Sequence, residues 1–378
     1  MPGSIHDVVI IGGGPAGLAA ALALRRAGRD AVVLDRGRPP LDKACGEGLM
    51  PAAVAALAAL GVDLAGTGRA FSGIRYVAGR RSAEADFPAG AAGRGVRRTD
   101  LHAALVAACE RAGIELRWGE RVAGLTADGV ATAAGALTAR LVVGADGLRS
   151  RVRQWAGLSR GARDVPRFGV RRHLAVEPAS ARVEVLFGAG AEAYVTPIGA
   201  RAVGLALLWE GAARGFDELL AERFPPAVAA RFGGAERLSR DRGAGPFRQR
   251  TRGAVAGSVA LVGDAAGYVD ALTGEGLAIA FREALALAGA VAAGDLASYG
   301  RASARLRRGP ETITRLALVA ARRPALAERV VAALARDPAL FSRLLGALGA
   351  GAPMATVGAA ATLRFALRLC APAPAGAA

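Results

Sequence analysis

Lysine is all but missing from this 378-residue chain: Lys43 is the single lysine among 49 basic residues, and arginine supplies the rest. There are three histidines (His6, His102, His173) and three cysteines (Cys45, Cys109, Cys370), the cysteines far apart and none in a C-x-x-C pair. That scarcity argues against a zinc site and a disulfide scaffold, and it fits a reducing cytoplasm. Aromatic residues make up 5% of the chain, too few for base-stacking platforms. Acidic residues number 32, leaving a net charge of +17 and a sequence pI near 11.3. The basic residues are nevertheless scattered, with no run longer than an Arg-Arg pair, so the excess reads as compositional drift and no nucleic-acid partner is expected. The chain runs early into an apolar segment at 5–11 that reads as a strand, not as a signal peptide. The longest uncharged stretch, Leu344–Leu363, is broken by four glycines and Pro353, and reads as a Gly-broken helical region packed on the protein. No G-x-S-x-G stands in the chain, so hydrolase chemistry has no support.

What is present is apolar material, 53% of the residues, enough for a large core in two or three lobes. A strand at 5–11, a helix at 15–28 and a strand at 31–34 make a parallel crossover unit. Helices are expected at 52–60 and 99–112, short antiparallel strands within 71–93, and strands near 114–118, 121–126 and 137–143. The pattern then changes: 167–176, 182–187, 192–196 and 202–209 read as strands of a separate sheet. A strand at 258–262 and a helix at 275–293 return to the first pattern, and the remainder from about 296 is mostly helical.

The turn after the first strand is Gly12-Gly13-Gly14-Pro15-Ala16-Gly17, a G-x-G-x-x-G sequence. Gly12 permits the tight turn, Gly14 lets a pyrophosphate approach the backbone, and Gly17 allows close packing of helix on strand. The helix opening at Pro15 aims its positive end at the phosphates. Asp35 closes the second strand, with Arg36 beside it, where a carboxylate accepts from a ribose hydroxyl and repels a 2′-phosphate. Gly12, Gly14, Ala16, Gly17, Asp35 and Arg36 are the candidate dinucleotide contacts of this unit.

Two more strand ends carry an aspartate. Gly144-Ala145-Asp146-Gly147 follows Leu141–Val143 and runs on to Ser150 and Arg153, giving D-G-x-x-S-x-x-R; Gly263-Asp264-Ala265-Ala266-Gly267 follows Val259–Val262. Ligands of open α/β sheets bind outside such strand ends. Order and content resemble the group A flavoprotein monooxygenases, the p-hydroxybenzoate hydroxylase-like superfamily that also contains the geranylgeranyl reductases, over roughly residues 1–300. The resemblance implies an FAD cofactor, with Asp264 on its ribityl chain and the Asp146–Gly147 motif serving FAD and the nicotinamide donor. It implies an α/β fold with three parts: a Rossmann-type FAD-binding domain (1–70, 94–160, 250–295), an inserted antiparallel-sheet substrate domain (71–93, 161–249) and a helical C-terminal region (296–378).

The segment Asp270–Gly276 (DALTGEG) sharpens the resemblance toward the geranylgeranyl reductase branch. Gly274, Glu275, Gly276 and Leu277 open the helix whose amides face the flavin pyrimidine in that family, and a positive helix end there stabilises a reduced, anionic flavin. Glu275 also reads as an ordinary first-turn carboxylate. The loop from Asp42 to Pro51 (DKACGEGLMP) resembles the Cys-Gly-rich loop that lies beside the isoalloxazine in the reductases, which places Lys43, Cys45 and Gly46 at the cofactor. Cys45 reads as a small filler at the flavin edge, as a pocket residue or as a reactive thiol; the first fits best, since no second cysteine is near. Lys43 stands either by chance or because an ammonium is needed. Arg98, next to Arg97, resembles the arginine of the family's R-x-x-L helix start, or is a solvated surface residue.

On the substrate side, strand alternation in Phe168–Val176 puts Arg172 on one face and Arg171 with His173 on the other. His173 is a candidate to orient an ionisable substrate, or a structural histidine. Tyr194 stands where the reductases carry Tyr-x-Trp-x-Phe-Pro, but Thr196 and Ile198 depart from that signature. Cys45, His173 and Tyr194 are the candidate catalytic, pocket-lining residues. The expectation is a cytoplasmic NAD(P)H-dependent flavin monooxygenase using O2 on a small, apolar or aromatic, polyketide-type molecule. A double-bond reductase acting on an isoprenoid or polyene is the alternative. A third class is a non-catalytic flavin protein that docks on membranes, for which the charge and the helical tail allow peripheral contact.

Overall fold

The computed structural model describes residues 5–161, 165–212, 214–352 and 354–370. Its first sheet is built on five parallel strands in the order Val259–Leu261, Gly135–Gly144, His6–Ile11, Ala31–Asp35, Glu115–Trp118. Ile11 is in register with Leu34 on one side and Gly144 on the other. The chain moves outward from His6–Ile11 in both directions, so this strand is the topological switch point and its C-terminal edge opens the crevice. Val8, Val9 and Ile10 are buried, as are Val32–Leu34 and Val142–Val143, because a parallel sheet covered on both faces has no polar side to alternate. One cover is the alanine-rich helix Pro15–Arg26, thin enough to lie close to Gly276–Ala292. The hairpin Val122–Thr126/Gly129–Thr132 leads into Gly135–Gly144; the strand Gly129–Thr132 was not expected from the sequence.

The second sheet runs Arg242–Ala244, Arg167–Leu174, Ala202–Glu210, Ala191–Gly199, Arg182–Phe187, Gly73–Ala78, Arg81–Asp86. It is antiparallel except at one seam: Gly73–Ala78 pairs parallel with Arg182–Phe187, Val185 opposite Tyr76. The sequence led to expect only antiparallel strands in this segment. A parallel pairing needs a long crossover, and here the intervening chain is the middle of the first sheet itself. On the other edge of Gly73–Ala78, Gly73 has no room for a side chain, which would meet the Ala85 carbonyl of Arg81–Asp86 at 2.0 Å.

Each face of the second sheet has its own cover. Leu205, Leu207 and Trp209 meet Phe216, Leu219 and Phe232 of the helices Phe216–Arg223 and Pro226–Gly233. Ile74, Val183 and Val185 meet Val331, Leu334, Phe341 and Leu345 of Pro324–Ala335 and Pro338–Gly349. The helices after 323 therefore serve as the back layer of this sheet, and the Leu344–Leu363 stretch is divided among Pro338–Gly349, a short 3-10 turn Met354–Val357 and Ala359–Cys370. Among the described residues no helix is long and apolar enough to cross a membrane.

The long helix Leu296–Ala321 closes the first sheet from outside. Tyr299 donates to the Leu261 carbonyl (2.5 Å). Arg307 meets Glu283 of the neighbouring helix at 2.7 Å and also donates to the carbonyls of Gly263 and Gly267 (2.6 Å each), while Ser303 donates to the same Glu283. Glu283 in turn accepts from the Gly263 amide at 2.8 Å. Removing one partner of a buried ion pair strands the other charge, at about 3–5 kcal/mol. Arg307→Met is therefore expected to lower unfolding stability by that order in urea titration. Arg301→Ala, which breaks only the exposed Arg301–Asp295 pair, should change it by less than about 1 kcal/mol.

Candidate functional site: a dinucleotide cleft with a buried acid behind it

At the C-terminal edge of the first sheet, backbone touches backbone. A Cβ on Gly17 would lie 1.8 Å from the Gly12 carbonyl, and one on Gly12 would lie 2.4 Å from the Ala145 carbonyl, with Gly12 at φ +115°. No side chain fits either place, and the absence of one leaves the mouth of the turn open at Gly14. Ala16 fills the space above Gly263, whose own Cβ would approach it to 2.9 Å. The Gly12–Gly17 turn and the Gly263–Gly267 turn are thus packed against each other.

Asp35 closes the second strand and braces the turn: its carboxylate accepts from the amides of Gly13 and Gly37, both at 2.7 Å. Beneath lies a pair the sequence reading left aside. His102 is fully buried, its Nε2 lies 2.9 Å from the Gly13 carbonyl, and its ring meets the edge of Trp118, which covers Gly13. Burial lowers the His102 pKa, so the ring is neutral and Nε2 carries the donating proton. Asp146 accepts from the amides of Arg151 and Val152 and caps that short helix, while its Oδ1 is buried without a partner among the described residues. Arg153 stitches this motif to the next strand end through the carbonyls of Leu148 and Ala265 (2.8 and 3.0 Å).

Charges from all these segments converge. Arg98 has a guanidinium nitrogen 3.9 Å from where a Gly14 Cβ would lie, and its Nε is buried and unpartnered among the described residues. Lys43 is exposed yet sits in a concavity, where desolvation and then Arg98 lower its pKa, against the pull of Asp35 and Asp264. Arg36 is exposed and acts on the same ammonium. The Asp264 carboxylate accepts no hydrogen bond from the described residues, and burial raises its pKa against Arg307, Arg98 and Lys43. The donor set is what a dinucleotide requires: a narrow backbone cradle, two cations for a pyrophosphate, and carboxylates at Asp35 and Asp264 for two sugar-type hydroxyl chains. FAD fits it.

The loop carrying Cys45 faces the turn after Asp264. Cys45 is half-buried, its thiol pushed up by burial and accepting a 3.4 Å bond from the Glu47 amide, so it stays protonated. Gly46 has open space where a side chain would be, and its carbonyl accepts from Thr196 at 2.7 Å. Glu47, which the sequence reading did not single out, holds the loop. It is the one non-glycine residue with positive φ (+60°) among those described. Its buried carboxylate accepts from the Arg98 amide (2.9 Å), lies 3.5 Å from Arg171 Nε and meets His173 Nε2 at 2.6 Å. A left-handed glutamate costs on the order of 1 kcal/mol, and three partners from two elements over-determine it.

His173 is accordingly engaged with Glu47, not directed into open space. Tyr194 is engaged likewise, donating to the Leu272 carbonyl at 2.5 Å and so fixing the Asp270–Gly276 loop to the second sheet. Asp270 of that loop is gripped by Arg167, which also holds Glu192 at 2.7 Å. Of the three candidate catalytic residues, the structure brings only Cys45 to the cleft wall; His173 and Tyr194 stand one layer behind it. Gly147 and Gly274 take positive φ (+80° and +69°), and Gly276 packs on the Tyr268 ring. Leu277 packs into the first core. Tyr268 is a further residue the sequence reading missed; burial and then the nearby Asp264, Asp270 and Cys45 raise its pKa, which places it close to both loops.

Glu275 is the least satisfied group of the site. It is 4% exposed, its Oε1 has no partner among the described residues, and burial pushes its carboxyl up to about 8 against the weak opposing effect of Arg282. Among the described residues no cluster suits a metal ion.

Residues 6–306 match the family described as FAD binding domain. Digeranylgeranylglycerophospholipid reductase 1 of Methanothermobacter thermautotrophicus is 30% identical over 327 residues, 79% of each chain. Menaquinone reductase of Mycolicibacterium smegmatis is 61% identical over 56 residues, which are 15% of this chain and 14% of that protein. Among solved structures, a flavoprotein/dehydrogenase from Cytophaga hutchinsonii superposes with TM-score 0.82 at 18% identity, covering 97% of this chain and 98% of the other. PqsL, titled a probable FAD-dependent monooxygenase from Pseudomonas aeruginosa, superposes with TM-score 0.72 at 21% identity, over 86% and 98%.

Two outcomes are expected. Gly17→Val should abolish FAD uptake, read as loss of flavin absorbance in purified protein, because its Cβ collides with the backbone. Glu275→Gln should stabilise the chain increasingly from pH 5 to pH 9. The folded wild type keeps this proton up to about 8 while the unfolded chain releases it near 4.5, so wild-type stability drains as pH rises through that window. The difference reaches on the order of 5 kcal/mol above it, and melting temperatures of both proteins across that range check the sign.

Proposed function

The chain belongs to the FAD binding domain family, and from that premise we propose that it is an FAD-dependent oxidoreductase, specifically an NAD(P)H-dependent flavin monooxygenase acting on a small aromatic or polyketide-type substrate. The observation that supports this reading best is Tyr268. Its ring lies edge-on to Phe247 (6.0 Å, 70°) and against Gly276, and its hydroxyl has no hydrogen-bond partner among the described residues. Burial raises its pKa well above 10, so it remains a phenol able to donate to a substrate oxygen while the ring offers an aromatic wall.

FAD, when bound, supplies electron transfer from NAD(P)H and the activation of O2. The chain's own residues do the rest. Arg98 and Lys43 hold the phosphates, and Asp35 and Asp264 hold hydroxyls. Cys45, kept as a neutral thiol, fills the flavin edge without adding charge. Tyr194, Arg167 and Asp270 fix the loop that leads into the flavin-facing helix, and Glu47 with His173 fixes the opposite loop. No second Gly-rich dinucleotide turn stands in the sequence, so the nicotinamide donor meets the site transiently.

A second reading, a double-bond reductase, draws on the archaeal relative and on the Cys45 loop. One absorbance series separates the two. The flavin is expected to bleach with NADPH under nitrogen in the presence of a phenolic substrate, and to recover rapidly when air is admitted. A flavin reduced by dithionite that reoxidises sluggishly in air, with phenols present, contradicts the monooxygenase reading and supports the reductase.

A further inference from the structure

Behind the Asp270–Gly276 loop lies a small recess that the roles above leave unused. It is a cavity of about 30 Å³ between this loop and the helix Leu296–Ala321, lined by Asp264, Tyr268, Thr273, Glu275, Glu311 and Thr314 among others. That volume holds about one water molecule, and a water needs two to four polar partners. The wall offers them. Thr314 donates to the Pro310 carbonyl at 2.8 Å, so Thr273, 2.8 Å from the Thr314 hydroxyl, is the donor of that pair and keeps its own lone pairs free to accept. Glu275 contributes the unpartnered Oε1. At the outer end, Glu311 is 25% exposed and paired with Arg315.

We propose that Glu275 stores an exchangeable proton at the flavin-facing turn and refills it from solvent through this chamber, with Glu311 at the entrance. Oxidation of NAD(P)H delivers a hydride, two electrons and one proton. Hydroxylation by O2 with release of water, and saturation of a double bond, each need one further proton from solvent. The proton leaves the Glu275 carboxyl, which becomes a carboxylate and is reprotonated through the chamber water. The inference rests on the flavin site and not on which of the two reactions it runs.

The surroundings favour the neutral acid. On its own helix, Arg282 is the one cation that acts on Glu275. Of the groups facing the chamber from the preceding loop, Asp264 and Asp270 have the same sign and Tyr268 stays protonated. From the covering helix, Glu311 is again acidic, and Arg307 is committed to Glu283. Burial of the carboxyl with little to offset it is the reason its pKa is raised.

The test uses flavin-loaded wild type, Glu275→Gln and Thr314→Val, photoreduced without NAD(P)H or substrate in weakly buffered water containing a pH indicator. Near pH 9 Glu275 is largely ionised while the flavin is oxidised, and the negative charge of a reduced flavin beside it would raise its proton affinity, so the wild type should take up as much as about one proton more per flavin than Glu275→Gln. Thr314→Val should take up the wild-type number several-fold more slowly. Equal uptake by wild type and Glu275→Gln overturns the proposal, and an unchanged rate in Thr314→Val overturns the route. If Glu275→Gln fails to load flavin, infrared difference spectra between flavin-free wild type and flavin-free Glu275→Gln decide. A protonated-carboxyl band at pH 7 that shifts in D2O and vanishes by pH 10 supports the proposal, and its absence refutes it. Because no NAD(P)H or substrate is used, failure here leaves the monooxygenase reading untouched, and that reading falls only on aerobic reoxidation.

Discussion

Glu283 and Arg307 meet where three pieces of the protein converge: the helix that faces the cofactor, the helix that covers it and the turn that carries Asp264. Glu283 is fully buried and Arg307 largely so, so the pair persists only with close partners for both charges. Glu283 takes bonds from Ser303, Arg307 and the Gly263 amide, and Arg307 gives bonds to two carbonyls of the turn. Such a pair adds little net stability against a hydrophobic replacement, because desolvation cancels the attraction. What it fixes here is position. With the turn held from behind, Ala16 can rest on Gly263, and the Gly12–Gly17 cradle and Asp264 keep the spacing that one long ligand needs.

The same device recurs at several other buried arginines. Arg153 ties two strand ends together, Arg167 joins the loop at Asp270 to Glu192, Arg171 links Asp42 to the neighbourhood of Glu47, and Arg172 lies over Phe216 while holding Asp217 and Asp241. A planar fork that stays charged when buried suits these roles better than an ammonium does. Lys43 is the contrast. It stands at the cleft, pairs with no carboxylate among the described residues, and has its charge weakened by its surroundings.

Features set by local backbone demands were legible in the sequence. The Gly12–Gly17 turn, Asp35, the two aspartates after apolar strands and the Pro15 helix start all announce themselves within a few residues, and the strand at 31–34 was placed to within one residue of Ala31–Asp35. What escaped depends on partners far along the chain. Glu47 matters because of His173, 126 residues away, and His102 because of Gly13, 89 residues away. A signal existed for some of them: Glu47 is enclosed by Gly46 and Gly48, and Glu283 interrupts an otherwise apolar helix face. The parallel seam between Gly73–Ala78 and Arg182–Phe187 carried no such signal, since both strands alternate as antiparallel ones do.

The cleft is shaped for a whole dinucleotide, with the phosphate cradle and Asp35 at one end and Asp264 with the Cys45 loop at the other. Calorimetric titration of the flavin-free protein with FAD and, separately, with FMN tests that claim most directly. One FAD per chain, bound at least about a hundredfold more tightly than FMN, is the predicted result, a difference of roughly 2.7 kcal/mol from the contacts to the adenylate half. Equal affinity for the two flavins, or no uptake of FAD at all, contradicts it.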